Sequence, residues 1–203
     1  MSDIYPNYQA LSEVEQKDTD YRIETRQQSN TNTVIIAPHG GGIEYGSSEI
    51  TKGIAADNYS YALFEGLKGS GNSDLHITST NFDEPDCLAL VETSKTVVTI
   101  HGEGSDNKIA YLGGTNQPLL DAIKASLEHS GFKTDTHPKL KGESASNICN
   151  RGTDPKGGVQ LELALGLRKT FFESLDRLGR TKPTPELQKF NDAVRQGIED
   201  AAG

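Results

Sequence analysis

The sequence has few cysteines, no long apolar run and no recognisable export signal. Its two cysteines, Cys87 and Cys149, lie far apart, which fits neither a disulfide framework nor a cysteine-based zinc site. We expect two reduced thiols, with one bridge between them as the alternative. No apolar run approaches the roughly 20 residues of a membrane-spanning helix. Residues 1–6 lack the basic and apolar regions of a secretory signal, so we expect synthesis in the cytoplasm.

The sequence also has fewer basic than acidic residues. The chain has 20 Lys and Arg against 29 Asp and Glu, which gives a formal net charge of −9. This balance argues against nucleic acid or an anionic membrane as a partner, because binding to phosphate requires an excess of basic side chains. An anionic substrate is still compatible with it, since such a substrate needs only a local arginine or lysine.

The apolar residues, 33% of the chain, occur in discrete runs, and this favours a folded core over disorder. Strand-like and helix-like runs alternate, which predicts one α/β domain over residues 1–203, with an open, mixed and largely parallel β-sheet flanked by helices. Strands are predicted at residues 21–25, 34–37, 59–64, 76–82, 96–100, 111–114 and 159–163. Helices are predicted at residues 11–17, after a cap at Ser47 or Ser48, at 117–129 and 167–178, and from Pro185 on. Residues 87–93 fit either a short helix or an edge element.

One stretch carries most of the chemical information. The β-branched run at residues 34–37 meets Pro38, which should end the strand because proline cannot donate to a sheet ladder. His39, three glycines and Glu44 follow. Glycines adopt backbone angles that other residues avoid, and they let another group lie close to the backbone. We therefore expect His39 and Glu44 to converge on a ligand, with a metal ion as the first hypothesis.

A second strand repeats this pattern, because His101 and Gly102 directly follow residues 96–100. Ligands of open α/β sheets bind beyond the carboxyl ends of strands, so neighbouring strands would bring His39 and His101 together. Two histidines and Glu44 leave a fourth position for water, which is the usual arrangement of a catalytic zinc. The alternative is that each histidine is an ordinary polar residue at the start of a loop. The remaining histidines are predicted not to be ligands: His76, His129 and His137.

The strand predicted at residues 159–163 supplies a candidate base. Gln160 and Glu162 share one face of this strand, opposite its apolar residues. Polar side chains are costly to bury inside an α/β domain when they have no partner. Glu162 is predicted to be the general base and proton shuttle, with Gln160 orienting Glu162 or the substrate. The alternative is an edge strand with one wetted face.

Cationic residues are candidates for substrate binding. Asn150 and Arg151 lie in a long polar loop at residues 133–158, and a loop of this length is usually functional or mobile. Arginine offers a planar fork that matches a carboxylate, and the adjacent asparagine can share the contact. Arg168 and Lys156 are further candidates.

The order of these motifs resembles that of the poly-γ-glutamate hydrolases of phages and bacilli, and the similarity covers nearly the whole chain. It is carried by residues 20–23, 37–44 (Ala-Pro-His-Gly-Gly-Gly-Ile-Glu), 99–102, 150–152 and 158–163. Members of that family are similar to small zinc carboxypeptidases. They cleave γ-glutamyl bonds of poly-γ-glutamate, a capsule-like polymer that shields the bacteria that produce it.

The resemblance implies a zinc-carboxypeptidase-like fold and one Zn²⁺ per chain, held by His39, Glu44 and His101. It also implies Glu162 as the catalytic base and Arg151 among the substrate-binding residues. Two features depart from the wider carboxypeptidase pattern. The spacing between His39 and Glu44 is longer, and the Asn-Arg pair follows the second histidine instead of preceding it.

The leading hypothesis is a zinc-dependent hydrolase of γ-glutamyl amide bonds in an anionic polymer, monomeric and released by host lysis. A net charge of −9 repels a polyanion, so this hypothesis requires a local basic groove beside His39 and His101. One alternative is a deacylase of small N-acyl amino acids, which a closed pocket would favour. The others are a binding module without catalysis and an enzyme with Cys149 as nucleophile.

Overall fold

The computed structural model describes residues 3–203. A seven-stranded mixed sheet forms its centre, with the strand order β1-β3-β2-β4-β7-β5-β6. The central strands β3, β2, β4 and β7 are mutually parallel, whereas β1 pairs antiparallel with β3 and β5 antiparallel with β7. The strands are β1 (Tyr21–Arg26), β2 (Thr33–Gly41), β3 (Ser60–Gly66), β4 (Thr96–Glu103), β5 (Ala110–Gly114), β6 (Thr134–Asp135) and β7 (Val159–Ala164). The predicted α/β class with a largely parallel sheet is confirmed.

Helices cover both faces of this sheet. They are α1 (Tyr8–Ser12), α2 (Ser47–Ala55), α3 (Pro85–Glu92), α4 (Gln117–His129), α5 (Leu165–Arg168) and α6 (Pro185–Ala202). Successive side chains of a strand point to opposite faces, so Ile35 belongs to the core cluster with α2, α4 and α6, while Val34 and Ile36 belong to the cluster with α1 and α3. Burial on both faces explains why the central strands are almost entirely apolar. Within residues 3–203, no helix combines the length and the apolar character needed to cross a bilayer.

The parallel strands bring the chemical residues to one edge. β2, β4 and β7 lie side by side, and all three end at the same edge of the sheet. His39 lies near the end of β2, and His101 of β4 is in direct register with Glu162 of β7. The neighbouring-strand arrangement expected from the repeated strand-His-Gly pattern is therefore present.

The strand β2 does not end at Pro38 as predicted. It continues to Gly41, and its pairing with β3 is interrupted by a bulge between Ala37 and Gly40. A bulge leaves a residue unpaired, so the missing N–H of proline costs no ladder hydrogen bond. The continuation matters for the site because it keeps His39 within the rigid sheet.

Other predicted elements are wrong. Residues 76–82 form an irregular loop instead of a strand. The first helix is Tyr8–Ser12 instead of residues 11–17. The residue that caps α2 is Gly46, with φ of +94°, instead of the expected serine. The helix expected at residues 167–178 stops at Arg168. Beyond it, local bonds compete with helix formation: Phe172 bridges to Pro183, and the Asp176 carboxylate accepts from the N–H groups of Leu178 and Gly179.

This last correction is testable, because Phe171 and Leu178 would share the apolar face of the predicted helix. In the structure Phe171 is completely buried, whereas Leu178 is 76% exposed. We expect Phe171→Ala to lower the free energy of unfolding by about 3–5 kcal/mol. Leu178→Ala should change it by less than about 0.5 kcal/mol. Urea denaturation of both variants measures the difference, and similar losses would contradict the observed chain path.

Candidate metal centre

Three side chains meet at the carboxyl edge of the sheet. His39 Nδ1 lies 3.2 Å from Glu44 Oε1 and 3.2 Å from His101 Nδ1, and Glu44 Oε2 lies 3.6 Å from His101 Nδ1. Both histidines are almost fully buried, at 2% exposure each. Sequence reasoning named these three residues, and the structure brings them together.

Backbone groups orient two of the three side chains. His39 Nε2 donates to the carbonyl oxygen of Ile77 at 2.8 Å. A carbonyl can only accept, so Nε2 carries the proton and the lone pair of a neutral His39 lies on Nδ1, facing Glu44 and His101. The N–H of Gly102 donates to Glu44 Oε2 at 2.8 Å. A second hydrogen-bond partner of this kind is what fixes ring orientation in metal-binding histidines.

The donor set fits zinc. Nitrogen and oxygen ligands lie about 2.0–2.2 Å from zinc, so in tetrahedral geometry they are separated from one another by roughly 3.3–3.6 Å. The separations of 3.2 Å between the two Nδ1 atoms and 3.2 Å between His39 Nδ1 and Glu44 Oε1 are close to that spacing, while the 3.6 Å contact of His101 is to the other carboxylate oxygen, Oε2. Two imidazole nitrogens and one carboxylate are also the ligand types that zinc prefers. Among the described residues this is the cluster in which three potential ligand atoms all lie within 4.8 Å of one another.

Glu162 lies beside this cluster on β7 and lines the same cavity. Gln160, two residues earlier on the same face, donates from Nε2 to Glu162 Oε1 at 3.2 Å. Gln160 is itself held by Asn147, whose amide donates to Gln160 Oε1 at 3.1 Å, and by the carbonyl of Leu140. Gln160 and Glu162 are both buried and β7 lies between β4 and β5, so the alternative of an edge strand with one wetted face does not apply.

The two carboxylates have opposite pKa shifts. Burial raises the pKa of Glu162; His101 opposes this shift and Glu44 reinforces it, and the net change is upward. Burial alone would also raise the pKa of Glu44, but His39 and His101 hold that pKa well below the usual range. Glu44 is therefore firmly ionised, as a metal ligand must be, while Glu162 takes up a proton more readily.

A cavity of about 610 Å³ opens over the cluster. One wall is a stretch of the long loop, residues 139–144, most of whose side chains are exposed to solvent. Lys139 and Lys141 belong to this wall, together with one acidic residue, Glu143. The lysines and arginines among the described residues that line this cavity are thus two lysines of the long loop, which the sequence did not single out, and the same lining contains three glutamates, Glu44, Glu143 and Glu162.

The arginines lie elsewhere. Neither Arg151 nor Arg168 is among the described residues that line the cavity. Arg151 pairs with Glu92 at 2.9 Å. Arg168 is buried and donates to the carbonyls of Leu163, Tyr45 and Glu103 at 2.9, 2.6 and 2.9 Å. Their positions do not support the substrate-binding role predicted for them.

Asn150 and Lys156 are also outside the described cavity lining. Asn150 donates to the carbonyls of Gly142 and Ser144, at 2.7 and 2.8 Å, and accepts from the N–H of Gly158. It therefore ties the cavity wall to the start of β7. Gln160 is the one predicted substrate ligand whose side chain reaches the cavity.

His76 is a residue whose importance the sequence did not reveal. It was predicted to begin a strand, but it lies in the irregular loop and lines the cavity. Its ring packs on that of His39, with ring centroids 4.0 Å apart. A strand-like alternation at residues 76–82 concealed this role, and no other local signal pointed to it.

The glycines have a packing role. Gly41 has φ of +64°, and a Cβ there would lie 2.5 Å from the carbonyl oxygen of Gly66; at Gly42 it would lie 2.4 Å from the side chain of Asn72. A Cβ at Gly102 would meet the guanidinium of Arg168 at 2.8 Å. These close approaches are to the protein itself, so the glycines let the loop turn back against β3 and carry Glu44 to the cluster.

Fold and site together define an α/β protein with a two-histidine, one-glutamate candidate metal centre at the carboxyl edge of its sheet. The family model described as poly-gamma-glutamate hydrolase matches residues 5–193. The chain belongs to the poly-gamma-glutamate hydrolase family, and it is an enzyme of the hydrolase class. This removes the alternative of a non-catalytic binding module.

Known proteins resemble this chain in both sequence and structure. The chain is 36% identical to the UPF0714 protein YndL of Bacillus subtilis over 174 residues, which are 84% of this chain and 67% of YndL. The structure of a bacteriophage poly-gamma-glutamate hydrolase superposes with a TM-score of 0.95 at 32% identity, covering 100% of this chain and 99% of that one. A zinc-free apo structure of YndL gives a TM-score of 0.90 at 32% identity and covers 98% of each chain.

The burial of Arg168 leads to a prediction. Arg168→Met leaves the Leu163 carbonyl, whose bond is buried, and the partly buried carbonyls of Tyr45 and Glu103 without this donor. An unpaired buried group costs about 1–3 kcal/mol, so we expect a loss of unfolding free energy of about 2 kcal/mol or more. The matched control is Arg151→Met, which breaks one ion pair with the half-exposed Glu92 and should cost under about 1 kcal/mol. Thermal and urea denaturation compare the two. A folded, fully stable Arg168→Met protein with only a raised KM would instead restore the substrate-binding role.

Proposed function

We propose that this enzyme hydrolyses the γ-glutamyl amide bonds of poly-γ-glutamate with one zinc ion held by His39, Glu44 and His101. The observation that carries the proposal is the convergence of three ligand atoms beside a buried glutamate, in a cavity whose wall bears two lysines. Family membership supports the substrate, and the zinc-free apo form described for YndL supports zinc. When bound, zinc supplies a Lewis acid that polarises the scissile carbonyl and makes water a stronger nucleophile at neutral pH.

Glu162 is the general base. Its carboxylate accepts the proton of the attacking water and later returns it to the nitrogen of the departing amine. Gln160 holds one oxygen of this carboxylate through its Nε2, which leaves the other oxygen for the water. Burial supports both steps, because a carboxylate whose pKa is raised is a better proton acceptor than an exposed one.

Lys139 and Lys141 bind the substrate's free carboxylates. A γ-linked glutamyl chain carries one α-carboxylate per residue, so a lysine on the cavity wall meets a repeating anion. Both lysines lie on exposed positions of the loop, where a long polymer has access. In a protein of net charge −9, these local cations offset the long-range repulsion of a polyanion.

The exposed wall favours a polymer over the small N-acyl amino acids of the alternative hypothesis, which a closed pocket would suit better. Cys149 is not a candidate nucleophile. It is completely buried, and burial raises the pKa of its thiol to about 12, so the reactive thiolate is scarce at neutral pH.

The role of Glu162 is tested by Glu162→Gln. This variant keeps the shape of the side chain but loses the base, so turnover of poly-γ-glutamate should fall by at least about 100-fold. Zinc content should be unchanged, because the three ligands are intact. Polymer length followed by size-exclusion chromatography gives the rate, and elemental analysis gives the metal.

Two controls accompany this variant. Glu143→Gln removes an exposed carboxylate from the same cavity and should retain turnover. Wild-type enzyme treated with a chelator should lose activity and regain it with added zinc. Full activity in chelator, or an active Glu162→Gln enzyme that still contains zinc, would refute the proposed mechanism.

The role of the two lysines is tested by Lys139→Gln and Lys141→Gln. Each should raise KM for the polymer about two- to five-fold with little change in kcat, since an exposed ion pair contributes up to about 1 kcal/mol. The effect should shrink with added salt. Lys124→Gln changes the net charge equally but lies on α4, outside the cavity lining, and is the matched control. Equal KM values for all three variants would exclude carboxylate binding by this wall.

A further inference from the structure

The carboxylate of Asp3 is hydrogen-bonded to the residues on either side of Ile77, whose backbone carbonyl contacts the metal centre. Asp3 accepts from His76 Nδ1 through Oδ1 at 2.7 Å, and from the N–H of Thr78 through Oδ2 at 2.6 Å. The residue between these two partners is Ile77, whose carbonyl accepts from His39 Nε2 at 2.8 Å. Asp3 therefore grips the loop on both sides of the group that orients His39. We call Asp3, His76, Ile77 and Thr78 the Asp3 clamp.

The clamp touches His39 in two ways. The Ile77 carbonyl fixes which ring nitrogen carries the proton, and the His76 ring packs on the His39 ring with centroids 4.0 Å apart. The first contact sets the tautomer, and the second restricts ring rotation. Both are needed to keep the Nδ1 lone pair directed at Glu44 and His101.

This part of the loop has local anchors of its own. The Ile77 side chain is buried in the core cluster, the N–H of His76 donates to the Ser73 carbonyl, and the Thr78 carbonyl accepts from the N–H of Asn81. Residues 76–78 belong to no helix or strand, so no ladder of backbone bonds fixes the Ile77 carbonyl, and the bonds to Asp3 add to these anchors on both sides of it. The bonds from Thr78 and His76 outweigh the effect of burial and lower the pKa of Asp3, so its carboxylate is charged at neutral pH.

We infer that Asp3 is a positioning residue of the metal centre, which holds the Ile77 carbonyl in place and thereby aims Nδ1 of His39 at the bound metal. The inference rests on the proposed zinc site but not on the proposed substrate. It assigns a role in metal binding to a residue that lies 36 positions before the first ligand and does not itself reach the metal ligands.

The test is the metal affinity of Asp3→Asn. Asparagine keeps the size of the side chain but loses its charge and one of its two acceptor oxygens, so one of the two bonds that flank Ile77 loses its acceptor. Changes to residues that support metal ligands typically cost 10- to 100-fold in affinity, and we expect a loss of about 10-fold or more for zinc, measured by competition with a chromogenic chelator. The visible absorption spectrum of the cobalt-substituted protein should also change, because it reports the geometry of the ligands.

The matched control is Asp83→Asn. Asp83 also fastens the beginning of the chain, since Oδ1 accepts from the N–H of Tyr8 at 2.7 Å, but it makes no contact with the clamp. Its loss should leave zinc affinity and the cobalt spectrum as in wild type. Thermal unfolding of the metal-free proteins verifies that both variants are folded.

A second variant covers the case in which Asp3→Asn does not fold. His76→Gln removes the ring that packs on His39 while leaving Asp3 bonded to Thr78, and it should lower zinc affinity by a smaller factor. The inference is overturned if the folded variants bind zinc like Asp83→Asn and give the same cobalt spectrum. No substrate enters these measurements, so an enzyme that binds zinc but leaves poly-γ-glutamate intact would refute the substrate and not the clamp.

Discussion

Three electron-pair donors face one another at about 3.2–3.6 Å at the edge of the sheet, and this crowding is the constraint on which the rest of the site depends. The Nδ1 lone pair of His39 carries no proton and faces a carboxylate oxygen of Glu44, so these two electron-rich atoms repel. A cation relieves this repulsion. The Gly102 N–H bond to Glu44 and the His39 bond to the Ile77 carbonyl hold these side chains in position before a metal binds. Less of the binding free energy is therefore lost in ordering the ligands.

Parallel strands make this convergence possible. Since β2, β4 and β7 are adjacent and run in the same direction, two ligands and the proposed base arrive at one edge from three separate stretches of sequence. Burial at that edge raises the pKa of Glu162, whereas the two histidines overcome burial at Glu44 and lower its pKa, so the two carboxylates shift in opposite directions. Arg168 stabilises this arrangement because its guanidinium donates to the carbonyls of Glu103 in β4, Leu163 in β7 and Tyr45, the residue after Glu44.

The sequence predicted those parts of the site that lie on regular structure. An apolar run followed by His-Gly marks the carboxyl end of a strand, and the alternation of Gln160 and Glu162 marks one face of β7, so His39, His101 and Glu162 could be placed together before any coordinates. Glu44 was predicted as a ligand because the flexible glycines before it let its carboxylate turn back toward the same edge of the sheet. The same reasoning failed where irregular hydrogen bonds take the place of a regular helix or sheet. Residues 76–82 alternate like a strand but form a loop, and Phe171 and Leu178 have helical spacing but no helix connects them.

The positions of the predicted arginines show why charge alone does not locate a substrate site. Arginine has a rigid fork with five donors, and both predicted arginines use it to organise the protein: Arg168 satisfies three carbonyls and Arg151 pairs with Glu92. Lysine has a flexible stem and a strongly hydrated ammonium, so it is easily kept in solvent. The two arginines are thus bound to the protein's own groups, and the flexible cations Lys139 and Lys141 lie on the exposed wall of the cavity.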